Sequence, residues 1–123
     1  MWEGSEHSFA PGLSLHLAAG HTPGSAVLKL RSGPDRAFFV GDLVHTPLQF
    51  LMPDHDTCLS EDRHQASVSR RRILEEAADT NALVVPAHLG DAGAAEIVRA
   101  GQDFRLKRWA PFTPPAAASV TAR

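Results

Sequence analysis

The chain has 123 residues, of which 12 are basic, 14 acidic and 43% hydrophobic, with a formal charge of −2. That is material for one globular domain, and the charge is too balanced for a nucleic acid or an anionic membrane as partner. One cysteine, Cys58, excludes an internal disulfide and a thiolate zinc cluster; the acidic opening MWEGSEH has no secretory leader, and a cytoplasmic protein is expected.

In chain order, Leu13, Leu15 and Leu17 alternate as in a half-buried strand, which places His16 on the opposite, solvent side. After a break over Gly20 to Gly24 the alternation resumes with Ala26, Leu28 and Leu30, and Gly33-Pro34-Asp35 turns the chain into the apolar run RAFFV, which ends at Gly41-Asp42. The first forty residues therefore predict a strand meander. Residues 46–61, with Pro47 and Pro53, read as a long loop of the kind that carries function. Ala66, Arg70, Ile73, Leu74 and Ala77 then recur at helical spacing, and Asp62 with Gln65 forms a capping pair, so a helix is predicted over 62–79. Its run Arg70-Arg71-Arg72, beside Glu75 and Glu76, is expected to be a solvated face. ALVVP predicts a buried strand with His88 just beyond it; residues 95–109 read either as a short helix with a strand or as a hairpin turning near Ala100-Gly101, and the alternation of Phe104 and Leu106 with Arg105 and Lys107 favours the hairpin. The ordered domain is expected to span 1–110, with a frayed tail over 111–123.

Seven histidines are present, and His7, His55 and His64 have no evident partner, so they are assigned to solvent together with His16. His21, Asp42 and His88 differ, because each follows a predicted strand. If those strands share one sheet, the three side chains meet at one edge, where imidazole nitrogen and carboxylate oxygen suit zinc, iron or manganese.

In this order GHTPGS (20–25), FFVGDLVH (38–45) and PAHLG (86–90) resemble the later metal-site motifs of the metallo-β-lactamase-fold hydrolases, over roughly residues 8–109. The resemblance implies an α+β or α/β fold, the C-terminal half of an αββα sandwich: mostly one β-sheet with the long helix (62–79) on one face. It implies His21 as a ligand completing a first metal's histidine set, Asp42 as the carboxylate bridging two metals, and His88 as a ligand of the second. His45 would line the substrate pocket; as a residue in its own right it reads equally as a surface-loop histidine. The complete form would hold up to two ions, zinc first among them, and use metal-bound hydroxide on an ester, lactone, amide or phosphoester.

The family's His-x-His-x-Asp-His signature is absent from the chain. Metal binding by this chain alone is therefore expected to be weak or partial, with negligible turnover, and the sheet face meant for the other half is expected to be exposed. A missing N-terminal half or a second copy is the expected partner. The alternative is a non-catalytic remnant or interaction module that retains the scaffold, possibly as a dimer.

Overall fold

The structure, a computed structural model, describes residues 3–90 and 93–110. The tail expected over 111–123 lies outside the described residues. Among these, one seven-stranded sheet runs in sequence order: β1 (Glu6–Ala10), β2 (Leu13–Leu17), β3 (Ala26–Ser32), β4 (Asp35–Gly41), β5 (Leu83–Pro86), β6 (Ala95–Ala100) and β7 (Asp103–Trp109). Every neighbouring pair is antiparallel except β4 and β5, which are parallel. A parallel pair needs a crossover. Here it contains α1 (Leu48–Leu51) and α2 (Arg63–Thr80). The predicted meander, helix, buried strand and hairpin are thus all present. The stretch 46–61 is not wholly irregular, since Pro47 opens the single turn of α1 inside it.

Local chemistry explains the boundaries of α2. The Asp62 carboxylate accepts the Gln65 amide at 2.9 Å, and Asn81 closes the helix in the left-handed conformation at φ 54°. Ile73, Leu74 and Ala77 of α2 pack with Phe50 onto Val27, Phe38, Val40, Val84, Ile97 and Phe104, which form one face of the sheet. Lys29, in line with Val27, reaches Glu76 of α2 at 2.6 Å, and Arg99 of β6 reaches Asp79 at 2.7 Å. These ion pairs fix the helix across the sheet.

The opposite face is also apolar. Cross-strand registers place Leu15, Leu28, Phe39 and Val85 in one row and Leu13, Leu30, Ala37 and Leu83 in the next. Residues paired across strands share a face. None of these residues belongs to the helix-side core, and Phe39 is 40% exposed.

This inverts the expectation for His16. The leucines of β2 lie on the open face, so His16 points under α2, where its ring is 17% exposed and hydrogen-bonds the Ser14 hydroxyl at 2.8 Å. Alternation alone had been unable to say which of two apolar faces is covered by the helix. Arg70 is likewise not solvated: it is fully buried, because Ala66, Arg70, Ile73 and Ala77 share the inward side of α2.

Candidate metal centre

Three loops meet at one end of the sheet. The first, between β2 and β3, carries His21. It is closed by the Ala18 amide on Ser25 O at 2.8 Å and the Thr22 amide on Ser25 Oγ at 3.1 Å. Gly20 stands at φ +142°, and a Cβ there would lie 2.2 Å from the backbone of Ala66, so only glycine lets this loop rest on the first turn of α2. The Glu61 and Asp62 amides donate to His21 O and Gly20 O at 3.1 and 2.9 Å. Gly24, at the other end of the loop, has an unremarkable backbone and open space around it.

The second loop leaves β4 through Gly41, whose φ of +54° turns the chain so that Asp42 and then His45 face the sheet end. The third leaves β5 through Pro86; the Ala87 amide donates to Gly41 O at 3.2 Å and sets His88 beside Asp42.

The three residues expected at the strand ends are therefore adjacent. His21 Nε2 lies 3.5 Å from Asp42 Oδ2, and His88 Nε2 lies 2.9 Å from Asp42 Oδ1. His45 stands closer to this group than its assignment to a pocket wall implied, with Nε2 3.9 Å from Asp42 Oδ1. Ligand atoms of His21, Asp42 and His45 all fall within 4.8 Å of one another, whereas His88 joins the group through Asp42. The rings of His45 and His88 are nearly parallel, 6.3 Å apart.

Around a tetrahedral zinc with ligand bonds near 2.1 Å, donor atoms stand about 3.4 Å apart. His21 stands at that spacing from Asp42 Oδ2, at 3.5 Å, and His45 stands beyond it from Oδ1, at 3.9 Å; two imidazoles beside a carboxylate are a donor set that fits a divalent cation. Burial, then the neighbouring His21, hold the His45 ring below the ordinary histidine pKa against the pull of Asp42, which keeps it in the neutral form a metal requires. The far side of the rings is unfinished: the buried Nδ1 atoms of His21 and His45 have no hydrogen-bond partner among the described residues. Metal-bound histidines ordinarily donate that proton to an outer carboxylate or carbonyl.

Behind the ligand loops lies a polar layer that sequence reasoning missed. Gln49 is fully buried and accepts the His45 amide at 2.6 Å, while Arg70 donates to Leu43 O and Pro53 O, both at 2.7 Å. An arginine at an inward helix position was the available signal, hidden by its two basic neighbours. His7, His55 and His64 are exposed, as expected.

Comparison with known proteins shows the family and the fold. The family model described as the metallo-beta-lactamase superfamily matches residues 2–88. Among solved structures, AidC, a dizinc quorum-quenching lactonase in complex with a product, N-hexnoyl-L-homoserine, is similar at 27% identity and a TM-score of 0.79, over 91% of this chain and 38% of that one. The hydrolase AbOPH, of the beta-lactamase superfamily, is similar at 23% identity and a TM-score of 0.77, over 87% and 37% of the two chains. An N-acyl homoserine lactone hydrolase, with product bound at its catalytic metal center, shares the fold at 20% identity and a TM-score of 0.62, over 71% and 34%. The chain thus spans about two-fifths of the length of these structures or less. Comparison with curated proteins gives no match.

Proposed function

The chain belongs to the metallo-beta-lactamase superfamily, and from that premise we propose that it carries the C-terminal share of a metal-dependent hydrolytic centre, completed by a second sheet outside these residues. The observation that carries the proposal is the convergence of three imidazoles on the one carboxylate of Asp42. The two oxygens of that carboxylate face different partners: Oδ2 faces His21, and Oδ1 faces His88 and His45. Asp42 would thus serve as the bridge between two ions, with His21 as a ligand on its Oδ2 side and His88 on its Oδ1 side, and His45 within reach of the same carboxylate.

Zinc fits the nitrogen-rich donor set best, and when bound it brings water's pKa toward neutrality and polarises a carbonyl or phosphoryl oxygen. The chain's own residues supply the imidazole ligands, the anchoring carboxylate and the loops that hold them. The substrate class is an ester, lactone, amide or phosphoester, with lactones first, because the lactonase AidC is similar over 91% of the chain.

Two features support a second sheet as partner: the rows Leu15-Leu28-Phe39-Val85 and Leu13-Leu30-Ala37-Leu83 on the open face, and the unpartnered Nδ1 atoms, which need outer donors or acceptors. Sheets stack face to face through such apolar rows. Among the described residues no helix is long and apolar enough to cross a membrane. A cytoplasmic location, in keeping with the free Cys58, is part of the proposal.

The test is the coding sequence that adjoins this one. A His-x-His-x-Asp-His segment encoded there, whose co-expression with this chain produces lactone hydrolysis that Asp42→Asn abolishes, supports the proposal. If no such segment exists, or if co-expression yields no hydrolysis, the reading as a scaffold without catalysis replaces it.

A further inference from the structure

We propose that Arg70, working with Gln49, is the positioning residue of the ligand loop that carries Asp42 and His45. The inference rests on the reading of that cluster as a metal centre.

Arg70 is a cation with no exposed surface, held on the inward side of α2. A buried charge carries a large desolvation cost that ion pairing often fails to repay, so its presence calls for a specific use. All three of its nitrogens donate. Nε donates to Leu43 O at 2.7 Å, Nη1 to Pro53 O at 2.7 Å and His55 O at 3.3 Å, and Nη2 to Asp56 Oδ1 at 3.1 Å. All of these acceptors lie in the segment between β4 and α2, outside its one helical turn, where the backbone has few partners of its own. Leu43 is the immediate neighbour of Asp42.

Gln49 extends the same bracing toward the second ligand. Its Nε2 donates at 3.2 Å to His55 O, the carbonyl that Arg70 also holds, and its Oε1 accepts the His45 amide at 2.6 Å and the Thr46 amide at 3.4 Å. One connected path therefore runs from α2 through Arg70, His55 O and Gln49 to the backbone of His45. Next to Arg70 on the helix, Ser69 donates to Ala19 O at 2.6 Å, two residues before His21. Two successive helix residues thus tie two of the three ligand loops, those of His21 and of Asp42 and His45, to one rigid element. Lysine could not substitute, because a single ammonium cannot span the acceptors that the guanidinium fork reaches.

The experiment compares the whole chain with Arg70→Met, Arg70→Lys and Gln49→Met by amide hydrogen exchange, and by cobalt(II) titration followed in the visible spectrum. The expected result is faster exchange at His45 and Thr46 in all three variants, with Ile73 and Leu74 in α2 unchanged. Cobalt affinity is expected to fall roughly 10- to 100-fold, the usual effect of removing an outer partner of a ligand. Unchanged exchange at His45 and Thr46, or equal acceleration throughout the chain, would overturn the inference. Cobalt affinity equal to that of the parent chain would overturn it too. If the parent chain binds no cobalt, the metal reading fails, and exchange at His45 and Thr46 still decides whether Arg70 fixes the loop.

Discussion

The Nε2 of His88 lies 2.9 Å from Oδ1 of Asp42, although two helices and a strand separate them in the chain. The contact exists because β4 and β5 are parallel neighbours, so the loops at their ends leave the sheet side by side. Asp42 should consequently be the residue whose loss matters most. Asp42→Asn is expected to lower zinc uptake at equilibrium dialysis by at least about tenfold, His21→Ala and His88→Ala are expected to lower it as well, and His64→Ala should leave it unchanged. Equal effects from all four variants would remove the site assignment.

The second prediction concerns pH. Burial, then Lys29, hold His16 below its ordinary pKa, so the ring is neutral in the folded chain while the unfolded chain takes up a proton near pH 6.5. Between the lowered folded value and 6.5 the unfolded state binds more protons, and stability rises with pH in that window. The contribution is therefore complete above about pH 6.5 and is lost as pH falls below it. His45, also lowered, acts in the same direction. Urea melts of His16→Gln should show a shallower loss of stability between neutral pH and pH 5 than the parent chain; parallel curves would show that His16 is not linked to folding.

The open face of the sheet predicts association. Apolar patches of this kind on a soluble chain mark contact surfaces. Sedimentation of the isolated chain should reveal concentration-dependent self-association, and Leu28→Asp or Phe39→Asp should shift it toward the monomer. A parent chain that stays monomeric at every concentration would show that this face tolerates water without a partner.

Gly20 allows the His21 loop to seat against α2, since a Cβ would approach the Ala66 backbone to 2.2 Å. Gly20→Ala should cost about 1–3 kcal/mol in chemical denaturation, with zinc uptake reduced at pH values where the protein is still folded. Gly24→Ala, where a Cβ meets open space, should be nearly silent.

Much of this fold was legible in the sequence because its signals are local. Alternating leucines, the Gly33-Pro34-Asp35 turn and the Asp62-Gln65 cap each fix a short segment without reference to the rest. What escaped was non-local. Period two in β2 separates two sides, but only the packing of α2 decides which is inside, and so His16 was assigned to water. Arg70 was read with Arg71 and Arg72 as one charged run, yet successive helix residues point about 100° apart. Arg71 reaches the surface carboxylates of Asp54 and Asp103, whereas Arg70 enters the core. The candidate site was visible as three strand ends; the nearness of His45 to His21 was not, because it depends on how Gly41 turns the chain after β4.

The central claim is that these residues form part of a dinuclear centre. Calorimetric zinc titration of the isolated chain tests it most directly. Weak binding of no more than one ion per chain, lost in Asp42→Asn, is the predicted result. Two tightly held ions per chain, or binding indifferent to Asp42, would contradict it.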